Sequence, residues 1–102
     1  KKMARSYLGF IVSATDGAYV PADKIHHIEI LSTTAIDIHF AGDDGAMASA
    51  ELTCTSGKSD EMAKEIARIA CTASGVVTVA DSLNSVFAHS DITAVANYNK
   101  SA

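Results

Sequence analysis

The chain has 102 residues, 48% hydrophobic and 20% charged, with a formal net charge of −4. That size fits one domain, read as residues 3–102, and the composition excludes a disordered segment. The eight basic residues are scattered, which is the wrong footprint for neutralising phosphates or gripping an anionic membrane, so neither nucleic acid nor membrane is an expected partner.

Lys1 and Lys2 stand ahead of Met3-Ala4, which reads as a native start, and they are set outside the fold reasoning. Tyr7 to Val12 reads as a first strand, too short an apolar stretch for a signal sequence. Thr15 to Asp23 is expected to be a loop, because it carries Asp16-Gly17 and Pro21, the only proline. Ile25 to Leu31 and Ala35 to Phe40 read as a hairpin joined by Ser32-Thr33-Thr34. Asp43-Asp44-Gly45 reads as the next turn, with too few oxygen ligands for a calcium loop.

Met47 to Thr55 alternates Ala48, Ala50, Leu52 and Cys54 with polar residues, the period of a half-buried strand. The period then changes. Met62, Ala63, Ile66, Ile69, Ala70 and Ala73 recur at helical spacing from Asp60 to Thr72, with Ser59 as the expected N-cap and Gly75 as the stop. Val76 to Ala80 is a fifth strand, Asp81 to Ser90 a polar loop, and Ile92 to Tyr98 a sixth strand. The expected fold is α+β: an antiparallel sheet or sandwich of about six strands with one α-helix, in the order β-β-β-β-α-β-β. A helix of about four turns covers only part of such a sheet, so a second sheet or a second copy must cover the rest.

Parity on the hairpin is restrictive. Ile28 and Ile30 must share a face with Ile36 and Ile38, which requires a loop centred on Thr33 and pairs Ile30 with Ile36 and Ile28 with Ile38. The same register puts His27 opposite His39 and Glu29 opposite Asp37 on the other face. These four residues are the candidate ligands for a divalent metal, since imidazole and carboxylate are ordinary ligands. The plainer reading is a solvated or subunit-facing polar strip, and no metal or cofactor is assigned. His26 is expected on the opposite face from His27, across from Phe40, as a half-buried packing residue.

No catalytic residue is assigned. Consecutive residues cannot align nucleophile, base and orienting group, so His89-Ser90-Asp91 reads as a turn. Thr55-Ser56-Gly57-Lys58-Ser59 lacks the first glycine of a phosphate loop, where Leu52 stands instead. Cys54 and Cys71 have no metal-ligand spacing and read as two buried free thiols, with a disulfide left open.

Several stretches together resemble small virion or structural proteins of marine tailed phages, notably those infecting cyanobacteria. They are Val20-Pro21-Ala22-Asp23-Lys24-Ile25, Ser32-Thr33-Thr34-Ala35-Ile36-Asp37-Ile38, Leu52-Thr53-Cys54-Thr55, Ser59-Asp60-Glu61-Met62 and Asp91-Ile92-Thr93-Ala94-Val95-Ala96. The resemblance implies a non-enzymatic, copy-rich subunit that forms a small symmetric homo-oligomer, expected to be a trimer, with other virion proteins as further partners. It places the chain in the virion, or in the host cytoplasm during infection. The alternatives are a small phage-encoded module that binds a host protein through the Asp16 to Asp23 or Asp81 to Ser90 loop, and a metal-binding protein.

Overall fold

The computed structural model describes residues 6–41 and 47–99, so the expected turn at Asp43-Asp44-Gly45 lies outside the described residues. The α+β class holds, but the chain makes more strands than the sequence pattern displays. In chain order they are β1 (Tyr7–Ser13), β2 (Asp16–Pro21), β3 (Ile25–Ser32), β4 (Ala35–Ala41), β5 (Met47–Cys54), α1 (Ser59–Thr72), β6 (Val76–Asp81), β7 (Val86–Phe87) and β8 (Ile92–Asn99). They form two four-stranded sheets, ordered β2-β1-β6-β7 and β3-β4-β5-β8. The expected antiparallel sheet or sandwich of about six strands is therefore met only roughly, with eight strands in two sheets and five rather than four strands ahead of the helix. The first sheet is mixed, because β1 runs parallel to β6.

Both expected loops conceal strands. Asp16–Pro21 pairs antiparallel with β1, from Tyr7 opposite Pro21 to Ser13 opposite Asp16. Gly17 opens this strand beside Ile11, where an added Cβ would lie 2.7 Å from the Phe10 carbonyl oxygen, so glycine is needed for the close approach. Gly9 faces Tyr19 across the same pair, and the tyrosine ring lies over the space a Gly9 side chain would fill. Pro21 ends the strand at the sheet edge, a position that a residue without an N–H can take. Val86–Phe87 adds to β6 as a two-residue strand after a turn in which Ser85 takes φ 57°.

The helix starts one residue earlier than expected. Lys58 occupies the N-cap position without a side-chain cap, its carbonyl accepts from Met62 N–H, and Ser59 is buried inside the first turn. Ser59 as N-cap is thereby corrected. Asp60 and Glu61 put negative charge at the helix N-terminus as the dipole favours. Met62, Ile66 and Ile69 form the buried stripe, and the helix packs against β3 and β4.

The core lies between the two sheets and the helix. Leu8 and Phe10 of the first sheet meet Ile36, Ile38, Phe40, Ala50 and Leu52 of the second, all buried. Phe10, Phe40 and Tyr98 form a continuous stack, with centroids 6.3 and 6.2 Å apart. The first sheet thus supplies cover that the helix alone could not, so the need for cover no longer argues by itself for a second copy. Neither cysteine is paired, and only Cys54 is buried. Cys71 is exposed near the end of the helix, which corrects the reading of two buried thiols. Burial, and secondarily the charge of Asp91, pushes the Cys54 thiol above its ordinary range.

Candidate functional site

The β3–β4 hairpin has the register that parity demands. His27 faces His39, Ile28 faces Ile38, Glu29 faces Asp37 and Ile30 faces Ile36. The β4–β5 register extends two rows across the outer face. One row is His27, His39 and Ser49, and the other is Glu29, Asp37 and Glu51. Strand alternation places these residues opposite the buried Ile36, Ile38, Phe40 and Leu52.

Three carboxylates therefore stand side by side on adjacent strands, an arrangement that is repulsive without a cation between them. No lysine or arginine occurs in β3, β4, β5 or β8. On the helix, Lys58 pairs with Glu61 at 3.2 Å, Lys64 with Asp60 at 3.4 Å and Arg68 with Glu65 at 2.5 Å. Those exposed pairs engage the helix cations with the helix's own carboxylates, although Lys64 also lines the groove that His27 borders.

The imidazoles are the nearest cationic or metal-ligating groups to the row. His39 Nε2 lies 3.3 Å from Glu29 Oε1 and 3.5 Å from Asp37 Oδ2. Despite those distances it makes no hydrogen bond and its atomic surface is almost fully covered, so the oxygens sit off the line along which the ring nitrogen would donate. His27 stacks on His39 with centroids 4.3 Å apart and planes 10° from parallel. His26 Nδ1 and His27 Nδ1 lie 2.9 Å apart, which requires one ring to donate and the other to accept. One ligand atom from each of His27, Glu29 and His39 falls within 4.8 Å of the others. The structure thus gathers three of the four candidate residues from the sequence into one group, with Asp37 beside it, reaching His39 and facing Glu29 across the ladder.

His26 departs from expectation. The ladder shifts between Ile25 and His27, so Ile25 rather than His26 faces Phe40, and His26 is exposed. The irregularity lets consecutive imidazoles touch, which strict alternation would have prevented.

The remaining polar motifs serve local structure. His89 Nδ1 accepts from Asp91 N–H at 3.0 Å and shapes the turn into β8. Gly57 takes φ 82°, its N–H donates to the Thr33 carbonyl, and Lys58 is engaged by Glu61, so the Gly-Lys-Ser stretch makes a turn into the helix. Asp81 accepts from both the backbone N–H and the side-chain amide of Asn84, each at 3.0 Å. Those donors hold its carboxyl below the usual carboxylate range.

β3 is also a free edge of its sheet. It is eight residues long and mostly exposed, including Ile30 and Leu31 at 48% and 45% of their surface. Beyond it a groove of about 500 Å³ runs between Ile25, His27 and Ile28 and the helix residues Ala63, Ala67 and Ala70. No helix among the described residues is long and apolar enough to cross a membrane. Comparisons with protein-family models, curated proteins and solved structures match none of them.

Proposed function

We propose that the chain is a non-enzymatic structural subunit that assembles with copies of itself through the free edge of β3. This is the kind of role that the resemblance to tailed-phage virion proteins implies, in the particle or in the host cytoplasm during infection. The observation that carries the reading is the edge itself. β3 is an eight-residue edge strand without proline or lysine and with two large apolar side chains in water, although its ladder to β4 shifts register near His26 and Leu31.

The charge pattern of β3 favours an antiparallel pairing with a second copy. A two-fold axis through Ile28 sets His27 of each copy opposite Glu29 of the other and Ile28 opposite Ile28. A two-fold at Glu29 would instead oppose two carboxylates. The trimer that the resemblance implies needs a heterologous contact, in which β3 pairs with a different edge of the next copy.

The test is absolute mass by light scattering across a wide concentration range, in chelating buffer. A dimer is the expected result. His27→Glu should weaken it at least tenfold by opposing like charges, and adding Glu29→His should restore it. A monomer at every concentration overturns self-assembly, and a trimer overturns the two-fold β3 contact in favour of a heterologous one.

A further inference from the structure

The geometry points to a binding site for a divalent transition-metal ion of the zinc type, held by His27, Glu29 and His39 with Asp37 as the fourth donor. Two ligands bonded to a tetrahedral zinc at about 2.0–2.2 Å stand about 3.4 Å from each other. His39 Nε2 stands 3.3 and 3.5 Å from its two carboxylate oxygens. These are the separations of groups sharing a third centre. They are not those of a made hydrogen bond, since this nitrogen has no partner although its surface is covered.

The donors come from the two strands of one hairpin. His27 and Glu29 lie two apart on β3, and Asp37 and His39 lie two apart on β4, so all four project from the same face. The ladder fixes their backbones, and turning the exposed His27 ring out of its parallel stack on His39, with a new rotamer at the exposed Glu29, closes the set. His26 acts from outside. With His27 Nδ1 donating to His26 Nδ1, the His27 ring is held in the tautomer whose Nε2 carries the free lone pair. The metal also answers the electrostatics of the face, because two positive charges balance Glu29 and Asp37 where the strands themselves carry no lysine or arginine. A mixed nitrogen and oxygen set selects zinc, nickel, cobalt or copper over calcium and magnesium, which take oxygen ligands.

All four donors belong to one copy, so the site stands whether or not β3 pairs with a second chain. The experiment is isothermal titration of the chelator-treated, untagged chain with zinc chloride, with calcium and magnesium chloride titrated separately. Expected are one zinc per chain, no measurable calcium or magnesium uptake, and at least a tenfold loss of zinc affinity for His39→Ala and for His27→Ala. His89→Ala, in the turn before β8 and outside the donor group, should bind as the parent does. Circular dichroism of each variant separates lost ligands from lost folding. His39→Gln keeps the side-chain bulk should the alanine variant unfold. In the parent, zinc should shift the imidazole nitrogen resonances of His27 and His39 and leave those of His89 in place. Absence of saturable zinc uptake overturns the proposal, as does equal affinity in folded parent and folded His39 variants.

Discussion

The two faces of the β3–β4–β5 hairpin system are built from alternate residues of the same strands, yet they obey different physics. The inner face is a packing problem. Ile36, Ile38 and Leu52 are fully buried and meet Leu8 and Phe10 of the other sheet. The outer face is an electrostatic one, with Glu29, Asp37 and Glu51 in a row and His39 Nε2 covered but unbonded. Core volume determines which residues the first can hold, whereas the second carries a repulsion that folding alone does not require. A fold retains its stability most easily when such a face is neutral or mixed in charge, so an unrelieved acidic row points to something that binds there.

The comparison breaks most sharply at neighbouring residues. Ile38→Ala should cost about 2–5 kcal/mol in urea unfolding, because it opens a cavity between β4 and the first sheet. His39→Ala, one residue on but facing outward, should change metal-free stability by only about 0.5 kcal/mol. If both variants lost stability equally, the outer face would be part of the core and the distinction would fail.

A smaller effect contrasts two carboxylates. Asp81 has donors from Asn84, while among the described residues Glu29 and Asp37 have only the His39 imidazole nearby. The folded state lowers the Asp81 pKa, so the stability it contributes is complete above the unfolded value of about 3.9 and is lost as pH falls through the folded value. Asp81→Asn should therefore be less stable than the parent at neutral pH, and the two should converge in acid. A difference that persisted or grew as pH fell below 3 would show that the carboxylate charge is not what stabilises this turn.

Parity explains why the outer face could be read from sequence. Four isoleucines on two short strands admit one register, and that register fixes the partners of His27, Glu29, Asp37 and His39 as well. Where no such constraint existed, the sequence was mute. β2 begins with Asp16-Gly17 and ends in proline, which are turn signals, and it is a strand only because β1 pairs with it. β7 is too short to show a period. The parallel β1–β6 pair joins distant segments and leaves no local trace. The shift at His26 depends on backbone geometry that no side chain encodes.

The smallest effect discriminates best, because its sign is opposite to that of most substitutions. Asp37 is the middle carboxylate of the row, flanked by Glu29 on one strand and Glu51 on the other. Asp37→Asn keeps the shape and removes both like-charge contacts, so it should stabilise the metal-free protein by roughly 0.2–1 kcal/mol. Added salt should raise the stability of the parent more than that of the variant, since it screens the repulsion that the variant lacks. Zinc should reverse the order, because the parent keeps the fourth donor and is stabilised in proportion to its occupancy. Urea titrations with chelator and with zinc, at low and high salt, read all of these differences. A variant less stable than the parent in chelator would mean that Asp37 is held by favourable contacts, and the outer row would then lose its claim to be a site awaiting a cation.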